Sequence, residues 1–204
     1  MEIDEIIDKI KTGPLTANEK IRLIGNHFAE IMRILGLDLN NDSLRNTPNR
    51  VAKMYVNEIF SSLDGAKEPE ITLFDNDYNY REILLEKNIP LYSFCEHHFV
   101  PIIGKAHIAY IPDEKVAGLS KLNRAVEYFS KRPQVQERLT KEIAAFLKIK
   151  LQTEDVAVII EAEHLCIASR GIKDTGCITT TMSYHGRFKS EKNQELLMLL
   201  HSVS

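Results

Sequence analysis

A thiol and two imidazoles fall within four residues at Cys95, His97 and His98, inside the stretch Ser93-Phe94-Cys95-Glu96-His97-His98-Phe99. Thiolate and imidazole are ligands that a borderline-soft divalent ion such as zinc prefers. Two neighbouring ligands cannot close a tetrahedral site, so a metal here requires a distant segment to return with a third. Cysteine and histidine also occur as plain core or surface residues, and a lone Cys-x-x-His does not decide between the two. The rest of the chain must supply the missing ligand.

Residues 1–60 carry a helical period. Ile3, Ile6, Ile7 and Ile10 are spaced by three and four until Gly13-Pro14 breaks the pattern. Thr16 and Glu19 form a capping box, and Ile21, Ile24, Phe28, Ile31 and Leu35 make an apolar stripe ending at Gly36. Thr47-Pro48 predicts a second start, with Thr47 as cap and Pro48 at the first helical position. That helix buries Val51, Met54, Tyr55 and Ile59 and carries Arg50 and Lys53 one turn apart. Asp64-Gly65 and the run from Lys67 to Pro69 read as a connection.

From there the period changes. Ile83 to Leu85 and Ile89 to Phe94 are strand candidates, and the run from Ile102 to Ile111 alternates with a period of two until Pro112-Asp113 turns the chain. One helix follows through Leu119, Leu122, Val126 and Phe129, with Ser120, Lys121 and Arg124 near its start. Pro133 is placed to open a second, packed through Val135, Leu139, Ile143 and Phe146, with Glu137 off the stripe. Val156, Val158 and Ile160 begin a strand that, continued, puts His164 and Cys166 on one side. The run from Cys177 to Ser183 is a returning strand and Glu191 to Leu200 a final helix. The order suggests an α+β fold, an antiparallel sheet preceded by a helical N-terminal extension, divided as 1–65 and 66–204.

Bulk properties narrow the function classes. A formal net charge of −3 over 204 residues gives no general attraction for nucleic acid or an acidic membrane. Any phosphate site must be a local cation cluster. No apolar run approaches the roughly 20 residues of a membrane-spanning helix. Three cysteines, an odd number, with an acidic N-terminus argue for a reducing cytoplasm over a secreted disulfide scaffold.

Cys166 is the distant third ligand. Cys95, His98 and Cys166 make a two-thiolate, one-imidazole set, and three protein ligands leave a coordination position for Lewis-acid chemistry. Cys177 as a fourth, structural ligand is the alternative. His97 and His164 are then imidazoles beside the ligands, suited to proton transfer.

Four blocks carry a resemblance: residues 93–100, residues 118–124 (Gly118-Leu119-Ser120-Lys121-Leu122-Asn123-Arg124), residues 132–139 (Arg132-Pro133-Gln134-Val135-Gln136-Glu137-Arg138-Leu139) and residues 164–171 (His164-Leu165-Cys166-Ile167-Ala168-Ser169-Arg170-Gly171). Together with Thr47 to Met54 they resemble, in order, the signature blocks of the GTP cyclohydrolase I family. The resemblance implies a zinc-dependent hydrolase, one ion per subunit, converting GTP and water to 7,8-dihydroneopterin triphosphate and formate at the entry to tetrahydrofolate and other pterins. It implies the tunnelling fold, an antiparallel sheet with two packed helices, assembled as a decamer of two pentamers.

By the same resemblance the metal ligands are Cys95, His98 and Cys166, and the catalytic histidines His97 and His164. Glu137 anchors guanine, accepting from N1–H and the 2-amino group, with Gln136 beside it in the base pocket. Ser120, Lys121, Arg124 and Arg170 contact the triphosphate, joined by Arg50 and Lys53 from a neighbouring subunit. His27, His107, His185 and His201 match no motif. A Cys95–Cys166 disulfide is the structural alternative to the metal. Two competing functions are a zinc-stapled protein that holds a purine nucleotide without turnover, and a related tunnelling-fold enzyme acting on a pterin or deazapurine.

Overall fold

The structure is a computed structural model that describes residues 14–63 and 66–201. The expected helix through Ile3 to Ile10 and the Asp64-Gly65 turn lie outside them. The chain divides into two compact units, Met1–Ala66 and Lys67–Ser204.

The first unit is helical. Helix α1 (Ala17–Ile34) begins at the expected capping box: Thr16 Oγ1 accepts from Glu19 N–H and Glu19 accepts from Thr16 N–H. Gly36, at φ +81°, follows its end. The expected stripe is only partly covered. Ile21, Ile24 and Phe28 are half-buried and Ile31 and Leu35 exposed, while the buried residues, Leu23 and Met32, lie outside that stripe. Helix α2 (Thr47–Met54) has Pro48 in its first turn but is entered from Asn46, already in a helical conformation, and has no side-chain cap. Thr47 is therefore the first helical residue, its N–H bonded to Leu44 O rather than its hydroxyl capping the turn. The helix buries Pro48 and Ala52, leaves Val51, Met54, Tyr55 and Ile59 half-buried, and continues as a π-helical turn, Tyr55–Ile59.

The second unit is built on a five-stranded sheet in the order β5-β2-β3-β6-β7. Strands β2 (Leu84–Cys95), β3 (Pro101–Tyr110), β6 (Val156–His164) and β7 (Thr179–Tyr184) pair antiparallel. The two strand candidates before the cysteine–histidine cluster are one strand, interrupted by a bulge between Glu86 and Ile89. Strand β5 is the dipeptide Pro133–Gln134, parallel to the end of β2. Pro133 therefore closes a strand contact instead of opening a helix; its carbonyl and that of Gln134 accept from Arg138 and Glu96 N–H. A separate two-stranded ribbon pairs β1 (Leu73–Asp75), which precedes the sheet, with β4 (Lys115–Ala117), which falls between β3 and β5 in the chain.

Helices α3 (Ser120–Ser130) and α4 (Gln136–Leu151) cover one face of the sheet. Leu122, Val126 and Phe129 from α3 and Leu139, Ile143 and Leu147 from α4 pack on Leu91, Ile108, Val158 and Ile160. Leu119 stands just before α3 and is exposed, so the stripe starts at Leu122. The opposite face is covered in part: Ala109, Ile111 and Ile159 pack with Phe188 and with Leu196 of the last helix, α6 (Asn193–His201). The alternation along β3 thus ends in residues buried on both faces. At Gly104 a Cβ would lie 2.1 Å from Glu161 O, so the β3–β6 approach admits no side chain there.

Candidate active site

Strand register gathers the site residues. Ser93 pairs with Ile102, and Ile102 pairs with His164. The end of β2, the start of β3 and the end of β6 therefore meet at one end of the sheet, and β5 brings the start of α4 to the same place. Cys95 lies two residues beyond Ser93; Cys166 lies two beyond His164.

Between β2 and β3 the chain reverses in a tight turn. Cys95 N–H donates to Val100 O, Phe99 N–H donates to Cys95 O, and Phe99 takes the left-handed conformation at φ +52°. This reversal brings His98 back toward Cys95. After His164 the strand gives way to a single helical turn, α5 (Leu165–Ala168), so Cys166 is on a helix and not on a continued strand. The turn carries its thiol inward all the same. One ligand atom from each of Cys95, His98 and Cys166 lies within 4.8 Å of the others. Among the described residues this is the one such group of three. Cys95 is buried and Cys166 half-buried, the three cysteines are unpaired, and Cys177 is exposed outside the group. Two thiols and an imidazole at that spacing fit a zinc-class ion.

The neighbouring groups behave differently. Burial pushes the Cys166 thiol up, helped by the adjacent Cys95 and opposed by Arg170. His97 is largely exposed, with Nδ1 3.6 Å from Cys95 Sγ. His164 is half-buried; burial lowers its pKa, partly offset by the Glu137 carboxylate. Its Nε2 lies 2.7 Å from Gln136 Oε1. Arg170 reaches His98 Nε2 at 3.1 Å.

Glu137 is exposed on the first turn of α4, next to the buried Gln136. Ser120, Lys121 and Arg124 occupy the first turns of α3, with Ser120 and Arg124 exposed and Lys121 half-buried. In the other unit, Arg50 and Lys53 are exposed on α2, and Arg50 donates to Ser43 O. Of the unassigned histidines, His27 is exposed, His107 is buried 3.5 Å from Glu161, and His185 is 3.0 Å from Ser183 Oγ. Sequence reasoning missed the ion pair between Arg138 and Glu96, which ties the ligand turn to α4. The two charges are 42 residues apart, and only the β2–β5 pairing relates them.

No helix among the described residues is long and apolar enough to cross a membrane. A family model described as GTP cyclohydrolase I matches residues 24–201. The chain is 54% identical over 180 residues to the GTP cyclohydrolase 1 of Flavobacterium johnsoniae, covering 88% of this chain and 81% of that protein. It is 51% identical over 175 residues to that of Buchnera aphidicola subsp. Schizaphis graminum, covering 86% and 80%. The protein of the same name from Enterobacter sp. (strain 638) is 54% identical over 178 residues, covering 86% and 80%. With matches of this extent and identity, the chain belongs to the GTP cyclohydrolase I family.

Proposed function

We propose that the protein hydrolyses GTP to 7,8-dihydroneopterin triphosphate and formate, the opening step of tetrahydrofolate and pterin biosynthesis, in the cytoplasm. The observation that carries this is the convergence of Cys95, His98 and Cys166 beside His164 in a chain of this family. Those three side chains would hold zinc, one ion per subunit. When bound, the ion supplies Lewis acidity, bringing water within reach of deprotonation near neutral pH.

The chain's own residues do the rest. Glu137, exposed on the first turn of α4, accepts from guanine N1–H and the 2-amino group; adenine lacks that donor pair. His97 and His164 carry protons. C8 becomes electrophilic when N7 is protonated, and opening the C8–N9 bond requires a proton on N9. Cleavage of both C8–N bonds uses two waters and releases C8 as formate. Reclosure with ribose carbons returns one water, so the net reaction consumes one.

Arg170, with Ser120, Lys121 and Arg124 at the start of α3, binds the triphosphate, where forked guanidinium donors and a helix N-terminus suit phosphate oxygens. Arg50 and Lys53 complete that site from a neighbouring subunit. The second unit is then a tunnelling-fold catalytic domain and the first a helical extension, assembled as a decamer of two pentamers. Among the described residues β7 is an edge strand of the sheet, a position where a neighbouring chain can pair.

Incubation of the zinc-loaded protein with GTP, following pterin absorbance and formate, tests the reaction. Equimolar formate and pterin are expected. Bound GTP without formate would leave a nucleotide-binding protein in its place.

A further inference from the structure

We propose that Gln136 is a positioning residue that holds His164 in the Nε2-protonated tautomer, so that Nδ1 is the nitrogen that exchanges a proton with the substrate. The resemblance places Gln136 in the base pocket, but its amide is already committed inside the protein. The side chain is 1% exposed. Its Nε2 lies 3.0 Å from Ile160 O, 2.9 Å from Thr179 O and 3.1 Å from Thr181 Oγ1. Its Oε1 lies 2.7 Å from His164 Nε2.

The orientation of the amide follows from these partners. Two of the groups around its nitrogen are backbone carbonyls, which only accept. Turning the amide over would set its oxygen against both, with no hydrogen between them. The oxygen therefore faces His164, and an oxygen without a proton accepts only if Nε2 carries one. In neutral His164 the lone pair is then on Nδ1, which has no hydrogen-bond partner among the described residues.

The anchorage is itself fixed. Thr140 Oγ1 donates to Gln136 O, one turn back along α4, and lies 2.7 Å from Thr181 Oγ1. Gln136 therefore bridges α4, β6 and β7, and the imidazole inherits their rigidity. Glu137, the next residue, is exposed on the same first turn of α4.

This rests on His164 being a proton carrier in the proposed reaction, so the first readout needs no turnover. Magic-angle-spinning 15N spectra of the histidine-labelled, zinc-loaded full chain, with His164→Gln for assignment, report the tautomer of His164 directly. Protonated Nε2 and unprotonated Nδ1 are expected. A protonated Nδ1, or a mixture of tautomers, would overturn the proposal whether or not GTP is hydrolysed. A protein that shows the expected tautomer but yields no formate would refute the reaction and leave the positioning intact.

Kinetics supply the second arm. Gln136→Ala is expected to mix the tautomers and lower kcat by about ten- to a hundredfold, the usual cost of losing such a supporting partner. Its KM for GTP should stay within about twofold, because the amide does not reach the base. A raised KM with kcat unchanged would make Gln136 a base contact and overturn the proposal. If Gln136→Ala fails to fold, the wild-type spectrum decides alone.

Discussion

The sheet end and the cation positions of this site are built in opposite ways. At the sheet end Cys95 is buried, and His164 is bonded to a buried amide whose other contacts lie on two strands. Arg170, Arg124 and Ser120, to which the triphosphate contacts are proposed, are exposed. Buried polar groups need partners, so the first group is held in place before any ligand arrives. Exposed side chains are held by fewer partners, and fixing them on a ligand costs side-chain entropy. Substitutions in the first group should therefore strike metal retention and kcat, and those in the second should strike KM.

The largest effect is expected at the ligands. Cys166→Ser should lose zinc, measured by elemental analysis of the dialysed protein, and reduce turnover roughly a thousandfold or more, since the Lewis-acid contribution is several kcal/mol. A variant that kept one zinc per chain and near-normal turnover would break the comparison at its root. Next, His164→Ala should keep its zinc and lose about 10²–10⁴-fold in kcat, the range of a proton-transferring group. Loss of zinc together with activity would move His164 from proton carrier to support of the ligand set.

The same division marks what could be read from the sequence. The long strands were legible from the two-residue alternation that opens the run from Ile102 to Tyr110 and from the short apolar run Val156 to Ile160, which the structure buries throughout. Cys95, His98 and Cys166 were legible as residue types, and strand register explains why they meet. The turn at Cys166 was not, because four residues, Leu165–Ala168, are too few to display a helical period. The ribbon of β1 and β4 and the two-residue β5 escaped for the same reason. Likewise, nothing in the pattern around Gln136 announces an acceptor for His164. Their relation crosses 28 residues and exists only once α4 lies against β6.

On the exposed side the effects should be smaller and of another kind. Arg170→Ala is expected to raise KM for GTP about ten- to a hundredfold, the worth of a hydrogen bond to a charged group, with kcat within a few-fold. The difference between wild type and variant should shrink as salt is added, because exposed charges are screened. Steady-state kinetics at low and high ionic strength measure both. A fall in kcat at unchanged KM would instead assign Arg170 to the reacting centre, in keeping with its contact to His98 Nε2.

The smallest effect is expected where the two styles of construction touch. Glu96 belongs to the ligand turn, yet its carboxylate meets Arg138 at the surface, with side chains 34% and 42% exposed. Such a pair contributes at most about 1 kcal/mol, since water and salt weaken it. Arg138 keeps its bonds to Gln134 Oε1 and Pro133 O when Glu96 is neutralised, so the β2–β5 contact survives. Glu96→Gln should therefore lower Tm by no more than about 4 °C and leave zinc content and KM unchanged. Calorimetry with elemental analysis checks this. Were Glu96→Gln to shed zinc, the ligand turn would depend on an exposed ion pair, and the preorganised end of the site would be less independent of its surface than the strand register implies.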